Sequence, residues 1–199
     1  FWHGEFGSQY TERNTTDIYV NENTTFFKKI FGISGQPKSV LELGANSGVN
    51  LRGIHAVDKS IELGAVEINP DAVAALKQSL PQAKAHHCSL LEFSSADRWE
   101  FVFIKGVLIH ISPEHLKDAY RALYTHSSRH IMICEYHNIV PLEMPYRGHA
   151  GKLFKRDFCG EMMDAYPDLK LVDYGFVYHR DNYYKSYDDV TWFLLEKTK

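Results

Sequence analysis

What this sequence has little of narrows its class first. No apolar run approaches the roughly 20 residues needed to span a bilayer, and no signal-peptide pattern opens the chain. Cysteine is scarce: Cys88, Cys134 and Cys159 stand far apart and share no CxxC spacing. An odd, scattered set argues against a disulfide framework or a zinc site and for buried free thiols in a reducing compartment, so a cytoplasmic protein is expected. Neither charge sign dominates, with Lys+Arg 22 against Asp+Glu 25 and a net charge of -3. That balance disfavours a nucleic-acid partner while leaving room for a local basic patch. No repeat, low-complexity tract or linker interrupts the 199 residues, and 44% of them are hydrophobic. Disorder and collagen-like architecture are thereby excluded, and one domain, 1–199, with a sizeable core is expected. Position 1 is Phe and not Met, so the numbering is expected to begin after missing residues.

From Ser39 onward the pattern alternates between strand-like and helix-like segments, the mark of an α/β fold with a mostly parallel sheet. Ser39-Val40-Leu41-Glu42-Leu43 is a short apolar run meeting a turn at Gly44. A helix over 49–58, a strand over 62–68 and a helix opened by Asn69-Pro70 and reaching Leu80 follow, then a strand over 84–88. Phe101, Val102, Phe103 and Ile104 form a continuous apolar strand, as central parallel strands do. Ser112 as N-cap and Pro113 at the first helical position predict a helix to about Tyr124. A strand over 130–136, a helix over 157–166 and two closing strands, 169–178 and 190–196, complete the chain as a terminal hairpin. Residues 1–38 do not fit this pattern. Their aromatics, interrupted by Gly4, Gly7 and a Thr/Asn-rich stretch, predict a short helical cover on a Rossmann-like core of 39–199.

The strongest local signal is Glu42-Leu43-Gly44-Ala45-Asn46-Ser47-Gly48, between the first strand and the first helix. Ligands of doubly wound sheets bind beyond the carboxyl ends of the strands, where the strand order reverses. Gly44 permits close backbone approach, and Asn46, Ser47 and Gly48 offer small groups and free N–H donors at a helix N-terminus. Glu67 follows Gly44 by 23 residues, near the spacing of an acid that accepts from ribose hydroxyls, and Ile68 can pack on adenine. A dinucleotide fingerprint needs a second glycine where this chain has Asn46, so an adenosine cofactor without pyrophosphate fits better.

These residues resemble the cofactor site of class I S-adenosylmethionine-dependent methyltransferases, as does Lys105-Gly106-Val107-Leu108-Ile109-His110 after the fourth strand. Beyond that site, Trp2-His3-Gly4-Glu5-Phe6-Gly7 with Tyr10 and Arg13-Asn14, Pro145-Tyr146-Arg147-Gly148-His149, Lys152-Leu153-Phe154-Lys155-Arg156-Asp157-Phe158 and Asp188-Asp189-Val190-Thr191-Trp192-Phe193-Leu194-Leu195-Glu196-Lys197 are similar to the pseudaminic acid biosynthesis-associated methylase family. The resemblance implies a seven-stranded sheet with an antiparallel last strand. It also implies S-adenosyl-L-methionine as donor, S-adenosyl-L-homocysteine as product, and an acceptor that is a nonulosonic acid or its nucleotide-sugar precursor. Carried over residue by residue, Gly44, Asn46 and Gly48 line the methionine and ribose end, Glu42 and Ser47 belong to the same cofactor motif, Glu67 holds the ribose, and Ile68 and Leu90 sandwich adenine. Lys105 and Val107 border the methionine moiety. Many class I members carry an acid after the third strand; this chain has Cys88-Ser89-Leu90, which leaves Ser89 for adenine.

Methyl transfer is chiefly a positioning problem, to which a general base contributes when the acceptor is a hydroxyl. His110 and His137 sit at the ligand edge of the sheet and are the candidate bases, whereas Glu135 is expected to pair with a nearby cation. Tyr146, Arg147, His149 and Lys155, in a basic run between the fifth strand and the following helix, are candidates for gripping an anionic acceptor. Tyr178-His179-Arg180 with Tyr183, Tyr184 and Tyr187 form a second candidate contact, as sugar-stacking tyrosines or plain packing, and Tyr10 and Arg13 a candidate lid over the cofactor. The 11 histidines show no ligand set, and no metal is expected. Two other readings stay open: a cofactor-binding but catalytically silent module of a glycosylation complex, and a nicotinamide-dependent sugar oxidoreductase.

Overall fold

Strand period two sorts the central residues onto two faces. In β4 (Trp99–Lys105), Phe101 and Phe103 join one apolar cluster while Val102 and Ile104 join the other. The computed structural model describes residues 2–8 and 17–198. Seven strands form one sheet in the order β3-β2-β1-β4-β5-β9-β8, with β1 Ser39–Leu43, β2 Glu62–Glu67, β3 Lys84–His87, β5 Ser127–Glu135, β8 Leu169–Val177 and β9 Val190–Lys197. All neighbours from β3 to β5 are parallel, and β9 runs antiparallel to both β5 and β8. The doubly wound sheet and terminal hairpin read from the sequence are present. Its strand order reverses between β1 and β4, which opens a crevice at their carboxyl ends.

One face is covered by α1 (Asp17–Ser34) and α2 (Val49–Val57), whose Phe26, Phe27, Ile30, Leu51 and Ile54 are buried against Val40, Phe101 and Met132. Leu76, from α3 (Pro70–Ser79), joins them. The other face packs α4 (Leu116–His126) and α5 (Phe158–Ala165) over Leu41, Val102, Ile131 and Leu195. Asn69 caps α3 as expected, its side chain accepting from the N–H groups of Asp71 and Ala72 with Pro70 following.

Three expectations are corrected. The N-terminal cover is a helix of 18 residues, not a short one. Its apolar face outweighs the poor propensity of Thr24 and Thr25, whose hydroxyls bond back to the carbonyls of Val20 and Asn21. Ser112 does not cap a helix: Pro113–His115 form a single 3-10 turn before α4, and the Ser112 side chain binds Glu114 instead. The segment after β5 is not a plain loop. It forms a hairpin of β6 (Leu142–Tyr146) and β7 (His149–Lys155), turning at Arg147 and Gly148 with φ of 49° and 84°. Positive φ at both central residues is what a two-residue hairpin turn of matching twist demands.

Candidate cofactor and acceptor site

The turn after β1 builds the floor of the site. Gly44 has φ 79°, and a Cβ there would lie 2.6 Å from Cγ2 of Val107, so only glycine lets this turn pass beneath the loop after β4. Asn46 also takes a positive φ, 47°, and its Oδ1 accepts from the Ser47 N–H. Gly48, at φ 80°, starts α2 with no side-chain cap, leaving first-turn N–H groups for a ligand. Beside them the Ser47 hydroxyl is buried without a partner among the described residues.

Glu67, 9% exposed at the end of β2, ties the turn to the next crossover. Its Oε2 accepts from Asn46 N–H at 2.7 Å, and its Oε1 from the N–H groups of Ile68 and Asn69 at 2.9 and 2.8 Å. Oε1 is thereby filled, while Oε2 keeps lone-pair capacity for a further donor. Glu42 is 1% exposed within β1. Burial pushes its carboxyl up to about 8, against the lowering pull of the Asn50 side chain and Lys105. Asn50 Nδ2 donates to Oε1 at 2.6 Å, while Oε2 has no partner among the described residues. The ammonium of Lys105 lies 4.1 Å from the centre of the Tyr187 ring.

At the far end, the loop after β4 makes a 3-10 turn over Leu108–His110. His110 Nδ1 lies 2.6 Å from the Lys152 carbonyl on β7. A carbonyl can only accept, so Nδ1 carries the proton and Nε2 keeps its lone pair. Burial holds this imidazole below the ordinary histidine value, opposed by the same hydrogen bond. Its ring packs between Trp2, at 4.6 Å between centroids, and Tyr146, at 4.7 Å.

These groups enclose a cavity of about 850 Å³ at the carboxyl ends of β1, β2 and β4. Of the residues expected at the cofactor, Gly44, Asn46, Ser47, Glu67, Ile68, Ser89, Leu90, Lys105 and Val107 line it; of the catalytic and acceptor candidates, His110, Tyr146 and Arg147 do. Glu42 and Gly48 stand behind the wall, as the anchor of Asn50 and the start of α2. Tyr10 and Arg13 lie outside the described residues.

The remaining candidates are not in the cavity. His137 sits against Phe193, with Nδ1 3.8 Å from the carboxylate of Asp157, because the chain turns back toward β7 immediately after β5. The His149 ring packs perpendicular to that of Phe6, 6.2 Å between centroids. Lys155 lies over the Tyr136 ring in a shallower depression shared with Asp188 and Asp189. His179 is held by Asp189, which accepts from both its backbone N–H and its ring at 2.9 Å. Arg180 does not line the cavity either. Glu135 has no cation as its main partner: it accepts backbone N–H groups of the loop after β4.

Sequence reasoning missed the α1 wall. Tyr19 and Asn23 line the cavity, as do Ser186 and Tyr187 from the β8–β9 connection. Tyr187 donates to Asn23 Oδ1, and Glu22 accepts from the Ser186 N–H at 3.0 Å. Polar Glu22-Asn23 inside a helix facing the core was the available signal. Among the described residues, no group of three or more His, Cys, Asp or Glu is arranged to hold a metal ion, and no helix is long and apolar enough to cross a membrane.

No family model and no curated protein matches the sequence. Solved structures do match. A 1,6-didemethyltoxoflavin-N1-methyltransferase of Burkholderia thailandensis, solved with 1,6-didemethyltoxoflavin and S-adenosylhomocysteine bound, aligns with a TM-score of 0.72 at 15% identity, over 98% of this chain and 85% of that one. The N-methyltransferase NodS of Bradyrhizobium japonicum WM9, in complex with S-adenosylhomocysteine, aligns with a TM-score of 0.70 at 13% identity over 98% and 100%. An S-adenosylmethionine-dependent methyltransferase of Clostridium acetobutylicum gives 0.68 at 9% identity over 98% of each chain. The chain therefore has the fold that these class I methyltransferases share.

Proposed function

We propose that this protein is an S-adenosylmethionine-dependent methyltransferase acting on a small anionic acceptor of the nonulosonic-acid or nucleotide-sugar class. The observation that carries the cofactor half is the joined geometry of Gly44, Glu67 and Val107: a glycine-only turn, a strand-end carboxylate and an apolar wall bounding one cavity. Those residues fit the cofactor by donor chemistry. Glu67 offers acceptor capacity to ribose hydroxyls, Ile68 and Leu90 offer apolar faces to adenine, and the orphaned Ser47 hydroxyl and the start of α2 offer donors. When bound, the cofactor supplies an electrophilic methyl group on a sulfonium.

The chain's own part is to bind, orient and take a proton. His110, neutral with a free Nε2, can accept the proton of an acceptor hydroxyl. Arg147 lines the cavity with its guanidinium 5.8 Å from the Tyr146 ring, and no carboxylate pairs with it among the described residues. A strained, unpaired arginine in a cavity suits a carboxylate or phosphate. The sugar class itself is supported by the sequence resemblance, with most of the basic run turned elsewhere: Arg156 pairs with Glu161 at 2.7 Å.

The test is transfer of a labelled methyl group from S-adenosylmethionine to a panel of nonulosonic acids, their nucleotide-activated forms and neutral sugars. Label entering an anionic member supports the proposal. Cofactor binding without transfer to any acceptor favours the silent module, and NAD binding in its place favours the oxidoreductase.

A further inference from the structure

Glu135 ends β5 and is 2% exposed. A buried carboxylate in an apolar setting is costly unless it is hydrogen-bonded, so its contacts are where that cost is offset. Here they are three consecutive backbone donors. Oε1 accepts from Val107 N–H and from Leu108 N–H, both at 2.9 Å, and Oε2 from Ile109 N–H at 3.5 Å. These open the 3-10 turn over Leu108–His110, whose own side chains provide no cap. The carboxylate is thus the cap of this turn, supplied from the neighbouring strand. Both ends of the turn touch the site: Val107 is the wall above Gly44, and His110 closes onto the Lys152 carbonyl.

We infer that Glu135 is a positioning residue: by gripping the N–H groups of 107–109 it sets the height of the loop after β4, and so presents His110 Nε2 to the acceptor. The inference rests on reading His110 as the base. Without the cap, three donors are left to find water, the turn is free to rise, and the His110–Lys152 bond that fixes the tautomer is lost with it.

The experiment compares Glu135→Ala, Glu135→Asp and Glu135→Gln. Alanine removes every acceptor, aspartate keeps the charge but shortens the reach, and glutamine keeps one oxygen for the Val107 and Leu108 donors. Ring-nitrogen chemical shifts of His110 report the tautomer directly, and steady-state kinetics report kcat and KM. Wild type and Glu135→Gln are expected to hold the Nδ1–H tautomer, with Ala and Asp losing it. A displacement of about 1 Å costs about 10²-fold in rate, so kcat is expected to fall by that order in Ala and Asp. KM for S-adenosylmethionine moves less, and glutamine restores most of kcat. If alanine does not fold, the Asp and Gln pair decides. An unchanged tautomer in a folded Asp or Ala variant overturns the inference. The spectroscopic arm needs no turnover, so a wild type that neither binds S-adenosylhomocysteine nor transfers methyl groups would overturn the functional reading while the tautomer still judged Glu135.

Discussion

The proposed function assigns Glu67 to the cofactor and His110 to the proton, and single substitutions pull the two roles apart. On that assignment Glu67→Ala removes an acceptor from the ribose, and it also frees the Asn46 N–H that shapes the turn. It is expected to weaken S-adenosylhomocysteine binding by about 1–3 kcal/mol, measured calorimetrically on a variant shown to be folded. Unchanged affinity would place the cofactor elsewhere. His110→Ala is expected to lower kcat by about 10²–10⁴-fold with cofactor affinity preserved, which is the usual contribution of a general base. The pH profile adds a sign. Burial lowers the His110 pKa, so the neutral base persists below the ordinary histidine range, and activity falls only as pH drops through that depressed value. A loss of activity centred above the ordinary value would contradict the assignment. Motif residues around Gly44 were legible because backbone sterics there leave one solution. The placement of His137 outside the cavity lining was not, since its direction depends on where the chain turns after β5.

At the level of elements, the hairpin of β6 and β7 borders the cavity beside the loop after β4. It brings Tyr146 to His110, carries the Lys152 carbonyl that orients the imidazole, and holds Arg147 at its tip with φ 49°. A non-glycine residue in this region costs roughly 1–2 kcal/mol, while glycine adds unfolded-state entropy of roughly 0.4–1 kcal/mol. Arg147→Gly is therefore expected to leave stability within about 1 kcal/mol of wild type while raising KM for an anionic acceptor by about 10–100-fold, the loss of a charge-assisted contact. Chemical unfolding and acceptor titration measure the two effects. A large stability loss with unaltered KM would make Arg147 a turn residue only. The hairpin was hidden in the sequence because β6, with Leu142 and Met144 open to solvent, shows no buried apolar run, and β7 buries just Leu153 and Phe154. The crossover units were visible because β1, β2, β4 and β5 are buried on both faces.

Across the whole molecule, fold and site meet in the buried acids of the central strands. Glu42, raised to about 8 by burial, binds more protons when folded than when unfolded. Its contribution to stability is fully present below the ordinary 4.5 and is lost as pH rises through about 8. Glu135, raised to about 7, adds the same sign over a narrower window. Glu42→Gln keeps an acceptor for Asn50 and cannot ionise. Relative to this variant, wild type is expected to lose stability from pH 5 to pH 9, at up to about 1.4 kcal/mol per pH unit. Urea unfolding at both ends of that window checks it, and a constant gap would mean Glu42 is ionised throughout. The α/β class and strand order were readable from alternating patterns. The wall formed by α1 was not, because Asn23 and Tyr187 stand 164 positions apart and meet only in the fold.

The proposed function turns on whether the cavity at the carboxyl ends of β1, β2 and β4 binds S-adenosylmethionine, and calorimetric titration with S-adenosylhomocysteine, with NAD as control, decides it. Saturable one-to-one binding of S-adenosylhomocysteine, weakened in Glu67→Ala, is expected, with no binding of NAD. Absence of S-adenosylhomocysteine binding to the folded protein would contradict it.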